Sequence, residues 1–202
     1  LKKQSLIDNY MNLIIFGPPG AGKGTQSKYI ANKYNLYQLS TGELLRNEIK
    51  NKTELGSKIS SIINSGELVS DEIVSNLIEK FISNNNYKNK IIFDGYPRTL
   101  SQAKNLDNLL NKYKQKIDIV LKLSVNLETV KKRILERQTQ ENRADDNEGI
   151  AIKRYRTYEK SSDPVINYYK QSNLLKVVNG EAGISEINSE ISGLIDTIKG
   201  WH

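Results

Sequence analysis

The residues best equipped for chemistry form one run, Gly17-Pro18-Pro19-Gly20-Ala21-Gly22-Lys23-Gly24-Thr25. The pattern is glycine, four residues, glycine and lysine. It follows an apolar run and precedes a helical stretch, which is the setting of a phosphate-binding loop. Glycines let several backbone N–H groups converge on phosphate oxygens, and the helix N-terminus adds partial positive charge. Lys23 can then reach the terminal phosphates of a nucleotide. A glycine-rich turn with an incidental lysine is the plain alternative, disfavoured by the strand before it and the helix after it. Gly24 stands where a hydroxyl commonly ligates Mg²⁺, so a metal here would depend on phosphates and water, with Thr25 against a phosphate.

A second candidate is Asp94, at the end of the apolar run Lys90 to Asp94. A carboxylate there suits a magnesium ion or a metal-bound water; it could equally cap the following turn. A phosphate loop alone leaves hydrolysis, signalling and transfer open. A guanine-selective switch would carry Asn-Lys-x-Asp, yet none of Asn51-Lys52, Asn89-Lys90 and Asn111-Lys112 is followed by that aspartate. A hydrolytic motor would follow its strand-end aspartate with a glutamate, but Asp94 is followed by Gly95. Transfer to a bound acceptor gains by exclusion.

The elements that must position these residues show in the apolar pattern. Runs at Asn12 to Phe16, Leu36 to Leu39, Lys90 to Asp94, Ile117 to Leu123 and Leu174 to Val178 read as strands, with longer amphipathic stretches between them. In Ser70 to Phe81 the residues Ile73, Val74, Leu77, Ile78 and Phe81 keep helical spacing, and Leu106, Leu109 and Leu110 do the same in the next stretch. Ser162-Asp163-Pro164 reads as a cap with proline at the first helical position, opening a helix through Tyr168. Alternating strands and helices predict an α/β fold of three layers around a parallel five-stranded sheet with right-handed crossovers. Two segments break the rhythm. Residues 41–69 hold short polar helices punctuated by Gly42, Gly56 and Gly66, an inserted small domain, and Gln138 to Gly149 carries no apolar period and reads as a surface loop or flap.

Composition sets outer bounds. The 202 residues, 37% hydrophobic and 26% charged, suit an ordinary globular chain. With no cysteine, disulfides, thiolate catalysis and a cysteine zinc site are excluded, and the one histidine, His202, is the last residue. The longest apolar runs fall far short of a membrane span, and Leu1 opens no charged-then-apolar leader, so a cytoplasmic enzyme is expected. The net charge of +7 favours anionic ligands. A nucleic-acid or membrane-surface binder would concentrate that charge, whereas Lys112, Lys114 and Lys116 alternate with polar residues and the 11 tyrosines are dispersed.

The phosphate loop with Gln26, together with LSTGELLR at Leu39 to Arg46, GELVSDEIV at Gly66 to Val74, FDGYPRT at Phe93 to Thr99 and RADD at Arg143 to Asp146, resembles the adenylate kinase family from about residue 11 to 198. The resemblance implies a core of residues 1–40, 70–136 and 150–202, a helical AMP-binding insertion at 41–69 and a short lid at 137–149 without zinc. It places ATP on Gly20, Ala21, Gly22, Lys23, Gly24 and Thr25, with Arg133 and Arg137 beside it and the backbone of Ala182 near the adenine. AMP is implied at Thr41, Arg46, Glu67, Leu68, Val69, Gly95, Tyr96, Pro97, Arg98 and Gln102. Lys23, Arg98, Arg137, Arg143 and Arg154 are implied as the catalytic set, the last two also touching AMP, and Asp94 as the Mg²⁺ contact through water. Tyr96 stands where phenylalanine is commoner, a change that should leave the turn intact.

Six of the seven arginines, all but Arg156, fall at these implied sites, while lysine supplies most other positive charge. Guanidinium forks bind phosphate bidentately and stay charged, which gives the split a physical reason. Arg133 and Arg137, four apart on one predicted helix, can face one cleft. The expected reaction is transfer of a phosphoryl group from Mg·ATP to AMP, giving two ADP, by a monomer acting on small nucleotides. Pyrimidine monophosphate kinases look similar through the phosphate loop but usually carry alanine where Thr41 stands and asparagine where Thr99 stands, so the resemblance favours AMP. The Gln102 amide can offer adenine a donor and an acceptor, its plain alternative being an exposed glutamine in the first turn of the next helix. A catalytically silent nucleotide sensor is the rival on the same fold; retention of Lys23, Asp94 and the arginines weighs against it.

Overall fold

The computed structural model describes residues 10–141 and 147–198, with only the backbone course at 140 and 141. Five parallel strands, β1 (Leu13–Phe16), β2 (Tyr37–Ser40), β3 (Ile91–Asp94), β4 (Ile119–Ser124) and β5 (Leu175–Asn179), form a sheet in the order β2-β3-β1-β4-β5. The central strand β1, sequence LIIF, is buried along its whole length, as a parallel strand covered on both faces must be. Its side chains alternate: Leu13 and Ile15 join one apolar cluster, Ile14 and Phe16 the other.

Helices α1 (Lys23–Tyr34) and α8 (Ile184–Ile198) cover the first face with Ile30, Tyr34, Ile187, Ile191 and Ile195. The second face is covered by α4 (Asp71–Ile82), α5 (Leu100–Lys112) and α7 (Glu148–Gln171), through Val74, Ile78, Leu106, Leu110, Val165 and Tyr169. The neighbouring strands β1 and β3 therefore send their connecting helices to opposite faces. Beyond their carboxyl ends the diverging loops open a crevice, the position where open parallel sheets bind ligands. At the other end of the sheet the fully buried Asn12 closes the core: its side-chain amide donates to Gln115 Oε1 (3.3 Å) and Lys116 O (3.0 Å) and accepts from the Ile91 N–H (3.1 Å).

Between β2 and α4 lie α2 (Thr41–Lys50) and α3 (Glu54–Asn64), packed on each other. The side-chain oxygens of Ser40 and Thr53 cap them by accepting the N–H groups of Glu43 and Gly56. The remaining helix, α6 (Leu127–Glu141), buries Val130 and Ile134 beneath the loop after β1.

Two sequence expectations are corrected. Pro164 does not open a helix; it lies inside α7, which runs unbroken for 24 residues. A proline removes one backbone hydrogen bond, but Val165, Ile166 and Tyr169 are buried just beyond it and hold the helix to the core. The polar stretch 138–149 is not loop throughout: α6 continues to Glu141 and α7 begins at Glu148. Helix-compatible Gln and Glu let both helices extend without an apolar stripe, so periodicity alone missed them.

Candidate active site

The loop after β1 turns on glycines that have a conformational reason to be there. Gly20 adopts φ +77°, and a Cβ on it would come within 3.1 Å of Ile134 Cγ1 and 3.2 Å of Val130 O in α6. Gly22, at φ +91°, is the residue before α1, and its left-handed backbone is the whole constraint, since nothing lies within 4 Å of an added Cβ. Ala21 is buried beneath the loop, while Gly24 begins open space and Thr25 faces solvent. Lys23 curls back over the loop and its Nζ donates to Gly17 O (2.8 Å) and Pro18 O (2.9 Å).

Burial pushes the Lys23 ammonium down to about 8; Asp94 opposes the shift, and Arg98, Arg154 and Arg137 add to it. Arg98, in the loop before α5, and Arg154, on α7, line the same cleft as Lys23, and Arg137, on α6, acts on the lysine electrostatically. Asp94 is buried at the end of β3, with Oδ2 accepting from Gln38 Nε2 at 3.0 Å. Among the described residues no group of three or more His, Cys, Asp and Glu side chains could cage a cation. A single carboxylate with spare lone pairs fits an Mg²⁺ whose remaining ligands are phosphate oxygens and water, the usual pattern for this ion.

One cleft joins the loop to the insertion. Its lining includes Lys23, Gly95, Pro97, Arg98 and Arg154 on one side and Arg46, Glu67, Leu68 and Val69 on the other. The Arg46 guanidinium lies over Gly42, 3.2 Å from where a Cβ would stand. Arg98 Nε donates to Gly95 O (2.7 Å), aiming the side chain back across its own turn. The end of the insertion touches α7: Lys153 Nζ lies 3.1 Å from Glu67 Oε1, and Gly66 leaves room for the stems of Arg154 and Ile150.

Three residues expected on the acceptor side are almost wholly buried, exposing only 1–4% of their surface. Thr41 is buried and its hydroxyl donates to Gly95 O (2.9 Å), tying α2 to the turn after β3. Tyr96 is 1% exposed; its hydroxyl donates to Gln102 O at 3.3 Å. Gln102 is 3% exposed, and its amide already serves Asp71 and the Arg98 backbone. On the opposite side Arg133 Nη1 donates to Gly180 O (2.9 Å), bringing α6 to the loop after β5 that carries Ala182. Arg143 lies outside the described residues.

Sequence reasoning named Arg154 but missed the rest of its stripe on α7: Thr157, Tyr158 and Ser161 line the cleft with it at helical spacing, with Ser162 beside them. The signal was present, but reading Pro164 as a helix start cut that face in two. Burial, with a smaller contribution from Asp163, pushes the Tyr158 hydroxyl up to about 12, the nearby Ser162 opposing. The tyrosine therefore serves the cleft as a neutral group.

A family model described as adenylate kinase matches residues 15–174. The chain is similar to an adenylate kinase of Pelagibacter ubique, 41% identical over 92% of this chain and 99% of that protein. It is similar to adenylate kinases of Archaeoglobus fulgidus, 37% identical over 94% of this chain and 100% of that protein, and of Porphyromonas gingivalis, 40% identical over 94% and 97%.

Proposed function

We infer that this chain, which belongs to the adenylate kinase family, catalyses reversible transfer of the terminal phosphoryl group from Mg·ATP to AMP, giving two ADP, and so serves adenine nucleotide homeostasis. The observation that carries the reading is a single cleft in which Lys23 of the phosphate loop shares the lining with Arg46, Arg98 and Arg154. Cations gathered in one cleft suit a polyphosphate, whose charge favours the ammonium form of the lysine.

ATP lies along Gly20 to Thr25, with its base between Arg133 and the backbone of Ala182; the Arg133 bond to Gly180 O supports that pairing. AMP occupies the side formed by Thr41, Arg46, Glu67 to Val69, Gly95 to Arg98 and Gln102. An oxygen of the AMP phosphate attacks the γ-phosphorus as the bond to the β,γ-bridging oxygen breaks, and ADP leaves on each side. That nucleophile is already ionised near neutral pH, so no general base is needed. Lys23, Arg98, Arg137, Arg143 and Arg154 hold charge on the equatorial and bridging oxygens and align the two nucleotides. Asp94 would hold Mg²⁺ through water, and the ion would supply charge neutralisation at the transferring phosphate.

The core of 1–40, 70–136 and 150–202 carries the insertion 41–69 and the lid 137–149, which close to keep water from the transferring group. The short interval between α6 and α7, from Glu141 to Glu148, supports a lid without its own sheet. Both nucleotide sites draw on one chain, which supports a monomer, and a cytoplasmic location is part of the same proposal. The test separates the two sides: Arg46→Ala should raise KM for AMP and leave KM for ATP nearly unchanged, and Arg133→Ala should do the reverse. Equal effects on both substrates would refute the assignment.

A further inference from the structure

Asp71 stands in the first turn of α4, where the insertion rejoins the core. Its Oδ1 accepts from Gln102 Nε2 at 2.7 Å and its Oδ2 from Thr99 Oγ1 at 3.0 Å. Thr99 Oγ1 in turn accepts the Gln102 N–H (3.1 Å), capping α5. At the far end of the same amide, Gln102 Oε1 accepts the Arg98 N–H at 2.7 Å.

These partners leave the amide one orientation. A carboxylate accepts and a backbone N–H donates. Turning the amide over would set Oε1 against Asp71 Oδ1 and Nε2 against the Arg98 N–H, two repulsive contacts in a site that is 3% exposed. With both internal bonds made, the amide keeps one N–H and one carbonyl lone pair, the complement of a single base edge.

We propose that Asp71 determines which purine the acceptor site takes, by fixing the polarity of the Gln102 amide that meets the base. The fixed order, N–H then carbonyl, matches the N1 acceptor and 6-amino donor of adenine. A 6-oxopurine offers the opposite pair, an N1–H donor and an O6 acceptor, and could bind only with the amide reversed. Asp71 is thus a positioning residue that acts through Gln102, and the inference rests on the reading of Gln102 as the acceptor-base contact.

The test compares kcat/KM for AMP with that for inosine monophosphate, which differs from AMP only at this edge. Asp71→Asn can meet Gln102 with a donor or an acceptor, and Asp71→Ala with neither. Each should lower the AMP-to-IMP ratio by about tenfold, the worth of one directional bond to a charged group, chiefly through KM. Melting curves identify folded variants. Gln102→Leu separates the two layers: if it leaves the ratio intact, Gln102 does not read the base and the proposal falls with that reading. If it collapses the ratio while folded Asp71 variants retain it, the Asp71 assignment alone is overturned. In the unmodified protein, one Gln102 Nε2 proton should stay protected from solvent exchange with AMP or IMP bound; free exchange of both protons would also overturn the proposal.

Discussion

The lowered pKa of Lys23 makes nucleotide binding a proton-coupled event. With a value of about 8 in the ligand-free protein, about a tenth of the molecules carry a neutral lysine at pH 7, about half at pH 8 and about nine-tenths at pH 9. Polyphosphate beside the amine restores the charge, because an adjacent anion favours the ammonium form. ATP binding should therefore take up about 0.5 proton at pH 8 and about 0.9 at pH 9 through this side chain, and its apparent affinity at pH 9 should fall about elevenfold below that of a permanently charged residue. Lys23→Arg supplies the reference, since a guanidinium does not deprotonate in this range. Calorimetric titrations in buffers of different ionisation enthalpy read the uptake directly. Stability carries the same signature. Between about pH 8 and 10.5 the unfolded chain holds a proton on Lys23 that the folded chain lacks, so ligand-free stability should rise with pH relative to Lys23→Arg. Equal proton uptake by the two proteins at pH 8 and pH 9 would refute the reasoning.

Other substitutions separate charge, backbone and packing. Arg137→Ala should lower kcat by roughly 10³-fold or more while the protein stays folded, whereas Arg156→Ala, on an exposed position of α7, should change kcat less than about twofold; stopped assays on both variants decide. Gly20→Ala forces a side chain into a left-handed backbone and against Ile134, and should cost about 1–2 kcal/mol in thermal or denaturant unfolding. Gly56→Ala should be more damaging, because its Cβ would overlap the Glu48 carbonyl where α3 crosses α2; at least about 2 kcal/mol is expected, read by denaturant unfolding with AMP affinity falling alongside.

The sheet was legible because its strands are buried on both faces and so read as unbroken apolar runs; LIIF of β1 and IIFD of β3 need no context to be recognised. The edge strand β2, YQLS, gave a weaker signal, since Tyr37 is covered from one side by the rings of Phe81 and Tyr87, at 5.8 and 4.2 Å. The phosphate loop and the arginines were legible from residue type and spacing. What the sequence hid is contact at a distance. Nothing local to Thr41 announces a bond to Gly95, 54 residues away, and nothing near Gln102 announces Asp71, 31 residues earlier. Periodicity likewise cannot tell a proline that starts a helix from one that a buried face holds inside it, and that ambiguity at Pro164 concealed Thr157, Tyr158 and Ser161.

The most direct test of the central claim is product analysis after mixing the protein with Mg·ATP and each of AMP, GMP, CMP and UMP, beside an ATP-only control. Rapid ADP formation with AMP, and little with the others or with ATP alone, is the predicted result. Turnover with CMP or UMP in place of AMP would contradict the acceptor assignment, and ADP formed at the same rate without any acceptor would contradict transfer itself.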